Sequence, residues 1–269
     1  MWSSTEPRAD NGATVSSSVH PALLHETHRP WPMPQRPWAL TMDWHSLLFL
    51  HWRVAASALQ RHLPAGVQVE AFDGCAWLGL VPFRMARTRV RWLPPLPSVH
   101  TFPELNVRTY VRAGGRSGVW FFSLDAASRF AVAGARATFG LPYFRARMRC
   151  QRDGEETHFA SERADRRAPA AAFAATWRTT DEPRTATPGT LEHFLVERYC
   201  LFVVRRGRLV CGEITHPPWR LASAAVKVAD CDMTRLLGIE LDGAPASALA
   251  AQPQRVAAWA PQRWPKPSG

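Results

Sequence analysis

Lysine is almost absent from this chain of 269 residues. Of 33 basic residues only Lys227 and Lys266 are lysine, and the others are arginine. A Schiff-base enzyme needs a lysine amine, and burial would depress the pKa of Lys227 and activate it. A lysine near the end of a strand more commonly points to solvent, so we expect Lys227 to lie at the surface.

Long apolar runs and paired cysteines are also missing. No run of 18 apolar residues would make a transmembrane helix, and the first residues carry no apolar signal-peptide core. The five cysteines are scattered without CxxC spacing. This pattern predicts reduced thiols in a cytoplasmic protein, with neither a disulfide framework nor a zinc site.

The familiar cofactor and catalytic motifs are lacking as well. We find no Walker loop, GxGxxG, GxSxG or HExxH pattern. His45 and His51 lie six residues apart, which is not a metal-ligand spacing, and Ser123 with Asp125 has no nearby histidine to complete a triad. We therefore expect no cofactor and no metal.

Positive charge is abundant, with a formal net charge of +11. Basic patches can bind nucleic acid or anionic membranes, but these arginines are spread along the whole chain. Two short segments place arginines at alternate positions, at 87, 89 and 91 and again at 145, 147 and 149. Alternation predicts a solvated outer face of a sheet, and an anion-binding surface is the alternative.

The stretch from 101 to 148 organises the rest of the chain. TFPELNVRTYV and GVWFFSLDA read as the two arms of a β-hairpin joined by a turn at Gly114-Gly115. Glu104 and Arg108 then lie in or beside an apolar sheet. A charge placed there is costly unless it is paired or faces a wet cavity. This hairpin is therefore where we expect the functional site.

The remaining elements are mostly short strands with two or three helices. Residues 1–35 are polar and predict a disordered arm, 36–240 a single domain, and 241–269 a loose tail. A helix is expected over 55–62, and another is expected after Thr190, its predicted N-cap. Residues 44–53 are ambiguous between strand and helix. Further strands are expected at 67–72 and 75–82 as a hairpin around Asp73-Gly74, at 158–163 and 171–178, and at 199–204 and 209–215. An antiparallel sheet closed into a barrel, with helices outside, fits this order.

Seven ordered blocks resemble one known family. HWRV, LPAGVQVEAFDGCAWLGLVPF, FPELNVRTYV, GVWFFSLDA, LPYFRARM, ERYCLF and HPPWRL together resemble the DUF2071 (YqjF-like) family of bacterial proteins, over roughly 38–225. That family looks like a branch of the acetoacetate decarboxylase superfamily. The resemblance implies an α+β, mainly antiparallel fold, a closed cone-shaped β-barrel with a few outer helices around a small-molecule pocket.

The same resemblance suggests which residues line that pocket. Glu104 takes the place of the superfamily's pocket glutamate, and an ungapped match puts His45 where those enzymes have an arginine. Tyr143 replaces the lysine that forms the Schiff base. A phenol forms no imine, so decarboxylation by that route is excluded unless Lys227 reaches the cavity from another wall.

Our interpretation is an enzyme that acts without lysine on small oxo acids or carbonyl compounds by general acid/base chemistry of a lyase, isomerase or hydrolase type. Glu104, Tyr143 and Arg108 are the candidate catalytic residues. The candidate substrate-binding residues are His45, Asn106, Trp120, Tyr199 and His216. A non-catalytic ligand-binding barrel is the alternative, and Glu104 with Arg108 would then be a structural ion pair. Nucleic-acid binding through the arginine faces ranks third, we expect no membrane partner, and a homodimer is compatible with the sequence.

Overall fold

The computed structural model describes residues 20–24, 26–93 and 100–264, and within these ranges β-strands dominate. The strands are β1 Leu40–His45, β2 Leu47–Val54, β3 Gln68–Val69, β4 Ala76–Val90, β5 Phe102–Ala113, β6 Arg116–Ala126, β7 Tyr143–Asp153, β8 Glu156–Arg163, β9 Ala172–Thr179, β10 Arg184–Thr185, β11 Cys200–Arg205, β12 Arg208–Thr215, β13 Arg220–Cys231, β14 Ser247–Ala251, β15 Gln254–Ala258 and β16 Gln262–Arg263. The α-helices are α1 Ala56–Gln60, α2 Arg129–Phe139 and α3 Leu191–Val196, and 3-10 turns cover Pro21–Leu23 and Arg235–Leu237.

The predicted hairpin is confirmed as β5 and β6. The two strands pair antiparallel from Glu104 opposite Ala126 to Ala113 opposite Arg116. Gly114 and Gly115 both have positive φ, +52° and +77°, which a residue with a Cβ adopts at a cost. The turn chemistry therefore fixes the hairpin register.

Strand pairing closes two rings that share a wall. One ring runs β1, β15, β12, β11, β6, β5, β4 and back to β1. The other runs β4, β5, β6, β7, β8, β9, β13, β14, β2 and back to β4. Nearly all pairs are antiparallel; β6 pairs parallel with β7 and β11. Closure leaves these strands without open edges.

Each ring encloses its own hydrophobic core, and the shared strands supply both. Side chains alternate across a strand, so Glu104, Asn106 and Arg108 of β5 face the first ring while Leu105 and Val107 pack into the second. The second core joins β2 and β4 leucines to Phe159, Phe173 and Trp177. Each fully buried leucine contributes about 1.5–3 kcal/mol. The charged residues of β5 therefore lie in a wall that is apolar on its other face.

Several sequence predictions match the observed elements. The helix expected over 55–62 is the shorter α1, and α3 begins where predicted, with Thr190 Oγ accepting from the His193 N–H at 3.3 Å. The expected strands at 158–163, 171–178, 199–204 and 209–215 are β8, β9, β11 and β12. The ambiguous segment 44–53 is extended, with Ser46 at φ 48° between β1 and β2.

Helix α2 was not predicted. Ser128 Oγ accepts from the Ala131 N–H at 3.2 Å at its start, and Gly140 ends it in the left-handed conformation. These cap residues are sequence signals that the alanine-rich run concealed. Helix α2 buries Val132 and brings Phe139 to the first ring.

The hairpin predicted around Asp73-Gly74 is wrong in its extent. Only an isolated bridge between Phe72 and Cys75 closes the turn, and β3 pairs with β5 instead. Strand β4 does not pair with β3. Its long apolar run is buried on both faces, and it pairs with β2 and β5. Much of the proline loop at 93–97 lies outside the described residues.

The loose C-terminal tail is also wrong. Residues 247–263 form β14, β15 and β16, and Ala258 pairs with both Leu40 and Ile214 to complete the first ring. Backbone pairing needs no particular side chains, so composition did not reveal it. Of the predicted disordered arm, 1–19 lie outside the described residues. Within 20–35, Arg29 is buried and makes an ion pair with Glu213 at 3.6 Å, contrary to expectation.

Candidate functional site

A cavity of about 160 Å³ lies inside the first ring. Most of its wall is apolar and rich in aromatic rings. The aromatic residues of the wall are Trp44, Phe49, Phe83, Phe121, Phe139, Tyr143 and Trp219. The polar and charged residues of the wall are Glu104, Asn106, Arg108, Arg198 and His216. A mainly apolar hollow with a few polar groups is typical of a small-molecule site.

Glu104 and Tyr143 meet at the cavity wall. Glu104 is 2% exposed, and the Tyr143 hydroxyl lies 3.1 and 3.0 Å from its two carboxyl oxygens. Tyr143 begins β7, whose parallel pairing with β6 places it opposite Leu124. The alternation of β5 and the register of β7 thus bring together two groups 39 residues apart.

Burial raises the pKa of Glu104 to about 8, the Tyr143 hydrogen bond opposes this rise, and the nearby charge of Asp125 adds to it. Burial and the neighbouring Glu104 also raise the pKa of Tyr143 well above its ordinary value. At neutral pH both groups therefore carry a proton. Within the described chain Tyr143 is the one hydrogen-bond partner of the Glu104 side chain, so the O–H of the neutral carboxyl is free to donate to a ligand.

Asp125 makes a buried ion pair beside this site. Both its carboxyl oxygens accept from Arg163, at 2.8 and 2.7 Å, and neither side chain is exposed. Arg163 also donates to Ser123 Oγ at 3.2 Å. This bidentate pair fixes the end of β6 against β8. Ser123 and Asp125 therefore bind Arg163 and do not form part of a nucleophilic triad.

Arg108 is held by neutral partners. Its Nη2 donates to the Tyr110 hydroxyl at 3.2 Å and to the Leu195 carbonyl at 3.1 Å, and the guanidinium lies over the Phe49 ring. Its Nε is buried without a hydrogen-bond partner. Among the described residues no ion pair joins Arg108 to Glu104 or to another carboxylate. The structural ion pair considered from the sequence is therefore absent from this part of the chain.

A buried histidine, His51, bonds the same Tyr110 hydroxyl that accepts from Arg108. The Tyr110 hydroxyl donates to the Leu195 carbonyl at 2.7 Å, so His51 Nε2, at 2.6 Å from the same hydroxyl, must be the donor there. Burial lowers the pKa of His51 well below its ordinary value, which keeps the ring neutral. Gly79 lies between His51 and Arg108 in the sheet. A Cβ on it would meet the His51 ring at 3.1 Å, so a larger residue at this position requires the ring to shift.

Two predicted substrate-binding residues line the cavity. Asn106 is 7% exposed, and its Oδ1 is buried without a partner in the described structure. His216 is 1% exposed, donates from Nδ1 to the Pro217 carbonyl at 2.8 Å, and packs against Trp219 at 4.9 Å between ring centroids. Burial lowers the pKa of His216, so it is neutral in the cavity wall.

The other three predicted substrate-binding residues, His45, Trp120 and Tyr199, do not line the cavity. His45 lies at the end of β1, half-buried near Asp43. Trp120 points to the opposite side of β6 and packs against a separate small core that includes Val111 and Phe202, because the bulge in β6 changes which residues face inward. Tyr199 lies behind His216, with ring centroids 4.8 Å apart, and donates to Glu197.

Sequence reasoning placed Trp219 in the core or the pocket wall, but it missed Trp44 and Arg198 as members of the wall. Trp44 and Trp219 stack with centroids 5.8 Å apart, and neither indole N–H has a partner in the described structure. Arg198 donates to Glu70 at 2.6 Å, which neutralises its charge. Tryptophans near strand ends could have indicated wall residues, but the sequence does not show which face of a strand a tryptophan occupies.

Lys227 does not reach the cavity. It lies on β13 with its side chain exposed, as expected for a lysine in an alternating strand. Over residues 20–24, 26–93 and 100–264 no group of three or more His, Cys, Asp or Glu residues is placed to hold a metal ion. Within the same ranges no helix is long and apolar enough to span a membrane.

The alternating arginines of β7 are exposed, as an outer sheet face predicts. A second, open cleft of about 440 Å³ lies between α2 and the segment after β8. Its arginines are Arg129, Arg136, Arg145, Arg166 and Arg167. None of these arginines lines the Glu104 cavity.

Two comparisons of sequence identify relatives of the chain. Residues 41–259 match the DUF2071 family, described as an uncharacterized conserved protein. The protein YqjF of Bacillus subtilis (strain 168) is 37% identical over 232 residues, which cover 86% of this chain and 95% of YqjF.

Solved structures with a similar fold include two that are named as an acetoacetate decarboxylase or as an acetoacetate decarboxylase-like enzyme. MppR, an enduracididine biosynthesis enzyme complexed with pyruvate, matches with a TM-score of 0.60 at 14% identity, over 91% of this chain and 97% of MppR. An acetoacetate decarboxylase-like enzyme from Sphingomonas wittichii RW1 matches with a TM-score of 0.57 at 15% identity, over 89% and 98%. The acetoacetate decarboxylase of Legionella pneumophila matches with a TM-score of 0.57 at 12% identity, over 93% of this chain and 98% of the decarboxylase. These likenesses establish the predicted fold class.

Proposed function

The chain belongs to the DUF2071 family, and for this member we propose an enzyme that acts without lysine on a carbonyl compound by general acid/base chemistry at Glu104 and Tyr143. The observation that carries the proposal is the buried Glu104–Tyr143 pair in the cavity wall, with a glutamate pKa of about 8. A general acid or base works best when its pKa lies near the working pH. A carboxyl group with a purely structural role does not need a pKa near the working pH.

Enolisation of a ketone or oxo acid is the reaction that these groups suit. The ionised form of Glu104 removes a proton from the carbon next to the carbonyl. The C–H electron pair forms the enolate double bond, and the carbonyl π pair moves to oxygen. Once Glu104 has taken up the proton it no longer needs the Tyr143 hydrogen bond, and the Tyr143 O–H donates to the enolate oxygen instead. Glu104 then returns the proton to carbon. No imine forms, which agrees with the exposed position of Lys227.

The supporting groups bind and orient the substrate. Arg108 offers a cation that no carboxylate of the described residues neutralises, and it suits an anionic substituent. Asn106 and the neutral His216 lie in the same wall. The aromatic rings exclude water and hold the apolar part of the substrate.

Exchange of carbon-bound hydrogen tests the proposal. The protein is incubated in D₂O with pyruvate, 4-oxopentanoate or 4-acetylbenzoate, and exchange next to the carbonyl is followed by NMR against buffer alone. We expect faster exchange with at least one probe, rising between pH 6 and 8 as Glu104 ionises. Glu104→Gln should remove the acceleration, and Lys227→Met is the matched control that should keep it.

A binding protein without catalysis is the second candidate. The observation that favours it is the predominantly apolar wall of the cavity. A ligand that binds only the native state raises its melting temperature. Stabilisation by a probe that the protein never exchanges would support this candidate, and no binding and no exchange with any of the three probes would contradict both.

A further inference from the structure

Glu104 and Arg108 lie at two separate ends of the cavity, and each is held there by a different tyrosine. Glu104 and Arg108 are four residues apart on β5, so their Cα atoms lie roughly 13 Å apart at the rise of an extended strand. Both line the same cavity. The Glu104 carboxyl is held by Tyr143, whereas the Arg108 guanidinium is held by Tyr110, two residues farther from Glu104 along the strand.

The wall between these ends is largely apolar and aromatic, and Asn106 is the polar residue between Glu104 and Arg108 on β5. Strand β4 places Phe83 beside Glu104 and Val81 beside Asn106, and β6 places Phe121 beside Arg108. Phe49 and Trp219 cross edge to face, with centroids 5.2 Å apart, on another part of the wall. The aromatic part of such a wall stabilises a flat apolar group.

The free space matches a group of that kind. The cavity volume is about 160 Å³. An apolar cavity of roughly 150 Å³ is large enough for benzene. One planar ring therefore fits in the hollow between the two ends.

We propose that the substrate is an elongated aryl oxo acid or aryl ketone acid, whose aromatic ring separates a carboxylate at Arg108 from a carbonyl group at Glu104 and Tyr143. This inference rests on the function proposed above and narrows its substrate class. A 2-oxo acid carries its carboxylate and carbonyl on adjacent carbons. It reaches one end of the cavity and leaves the other unoccupied.

Matched probes test the inference by isothermal titration calorimetry on the full chain. 4-Acetylbenzoate has both groups across one ring, acetophenone lacks the carboxylate, benzoate lacks the ketone, and pyruvate lacks the ring. We expect 4-acetylbenzoate to bind at least tenfold more tightly than each of the other three. Arg108→Gln should bring its affinity down to that of acetophenone, and Tyr143→Phe should bring it toward that of benzoate.

Arg108→Lys is the second variant, since it keeps a cation if the glutamine variant folds poorly. It should retain part of the advantage of 4-acetylbenzoate over acetophenone. Pyruvate binding as tightly as 4-acetylbenzoate would overturn the inference but leave the proposed function standing, provided that exchange is observed. Equal binding of acetophenone and 4-acetylbenzoate would also overturn it, because Arg108 would then contribute nothing to recognition.

Discussion

Glu104→Gln should change how the stability of the protein depends on pH. The pKa of Glu104 lies at about 8 in the fold against 4.5 in an unfolded chain. At about 1.4 kcal/mol per pH unit, the ionised carboxylate is about 5 kcal/mol less favourable inside the fold. Its contribution to stability is therefore complete below pH 4.5 and is lost as the pH rises toward 8.

The glutamine variant carries no such titration, and its side chain keeps an oxygen that accepts from Tyr143. Between pH 5 and 7.5 the wild type should lose about 3 kcal/mol of unfolding free energy relative to the variant. Urea denaturation of both proteins across this range measures the difference, with equal slopes as a check on two-state unfolding. Parallel stability curves would show that Glu104 is ionised in the fold at neutral pH, and the acid/base argument would lose its basis.

Three further variants probe the surroundings of the site. Asp125→Asn leaves the buried Arg163 without its carboxylate partner, and we expect a loss of about 3–5 kcal/mol in urea unfolding; a loss under 1 kcal/mol would contradict a dry ion pair. Gly79→Ala places a methyl group 3.1 Å from the His51 ring, and we expect about 1–3 kcal/mol of destabilisation by the same measurement. Lys227→Met removes an exposed amine, so the melting temperature and ligand binding should be unchanged, and lost binding would mean that the amine reaches the ligand.

The arrangement of the cavity bears on the missing Schiff-base lysine. Tyr143 stands at the wall where the resemblance places a lysine, and it is bonded to the carboxyl of Glu104 rather than free to attack a ketone. A phenol held protonated is a hydrogen-bond donor. The substitution therefore keeps the cavity and changes the chemistry that we propose for it.

The sequence by itself determined the hairpin at the centre of the protein and the identity of the acid and the phenol. Alternation along β5, the Gly114-Gly115 turn and the Thr190 cap are local signals, and each depends on a few neighbouring residues. The family resemblance predicts that Glu104 and Tyr143 face one cavity, since no local pattern joins residues 39 positions apart, and their hydrogen bond is seen only in the structure.

Only the tertiary structure decided which side chains share the cavity. The bulge in β6 turns Trp120 away while Phe121 faces inward, and the exchange of inward faces is a property of strand pairing. Ring closure by β15, which recruits a segment that looked like a tail, depends on backbone hydrogen bonds that any sequence can make. Tertiary contacts likewise decided that Arg108 does not pair with Glu104, because Tyr110 and the Leu195 carbonyl hold the guanidinium while Tyr143 holds the carboxyl.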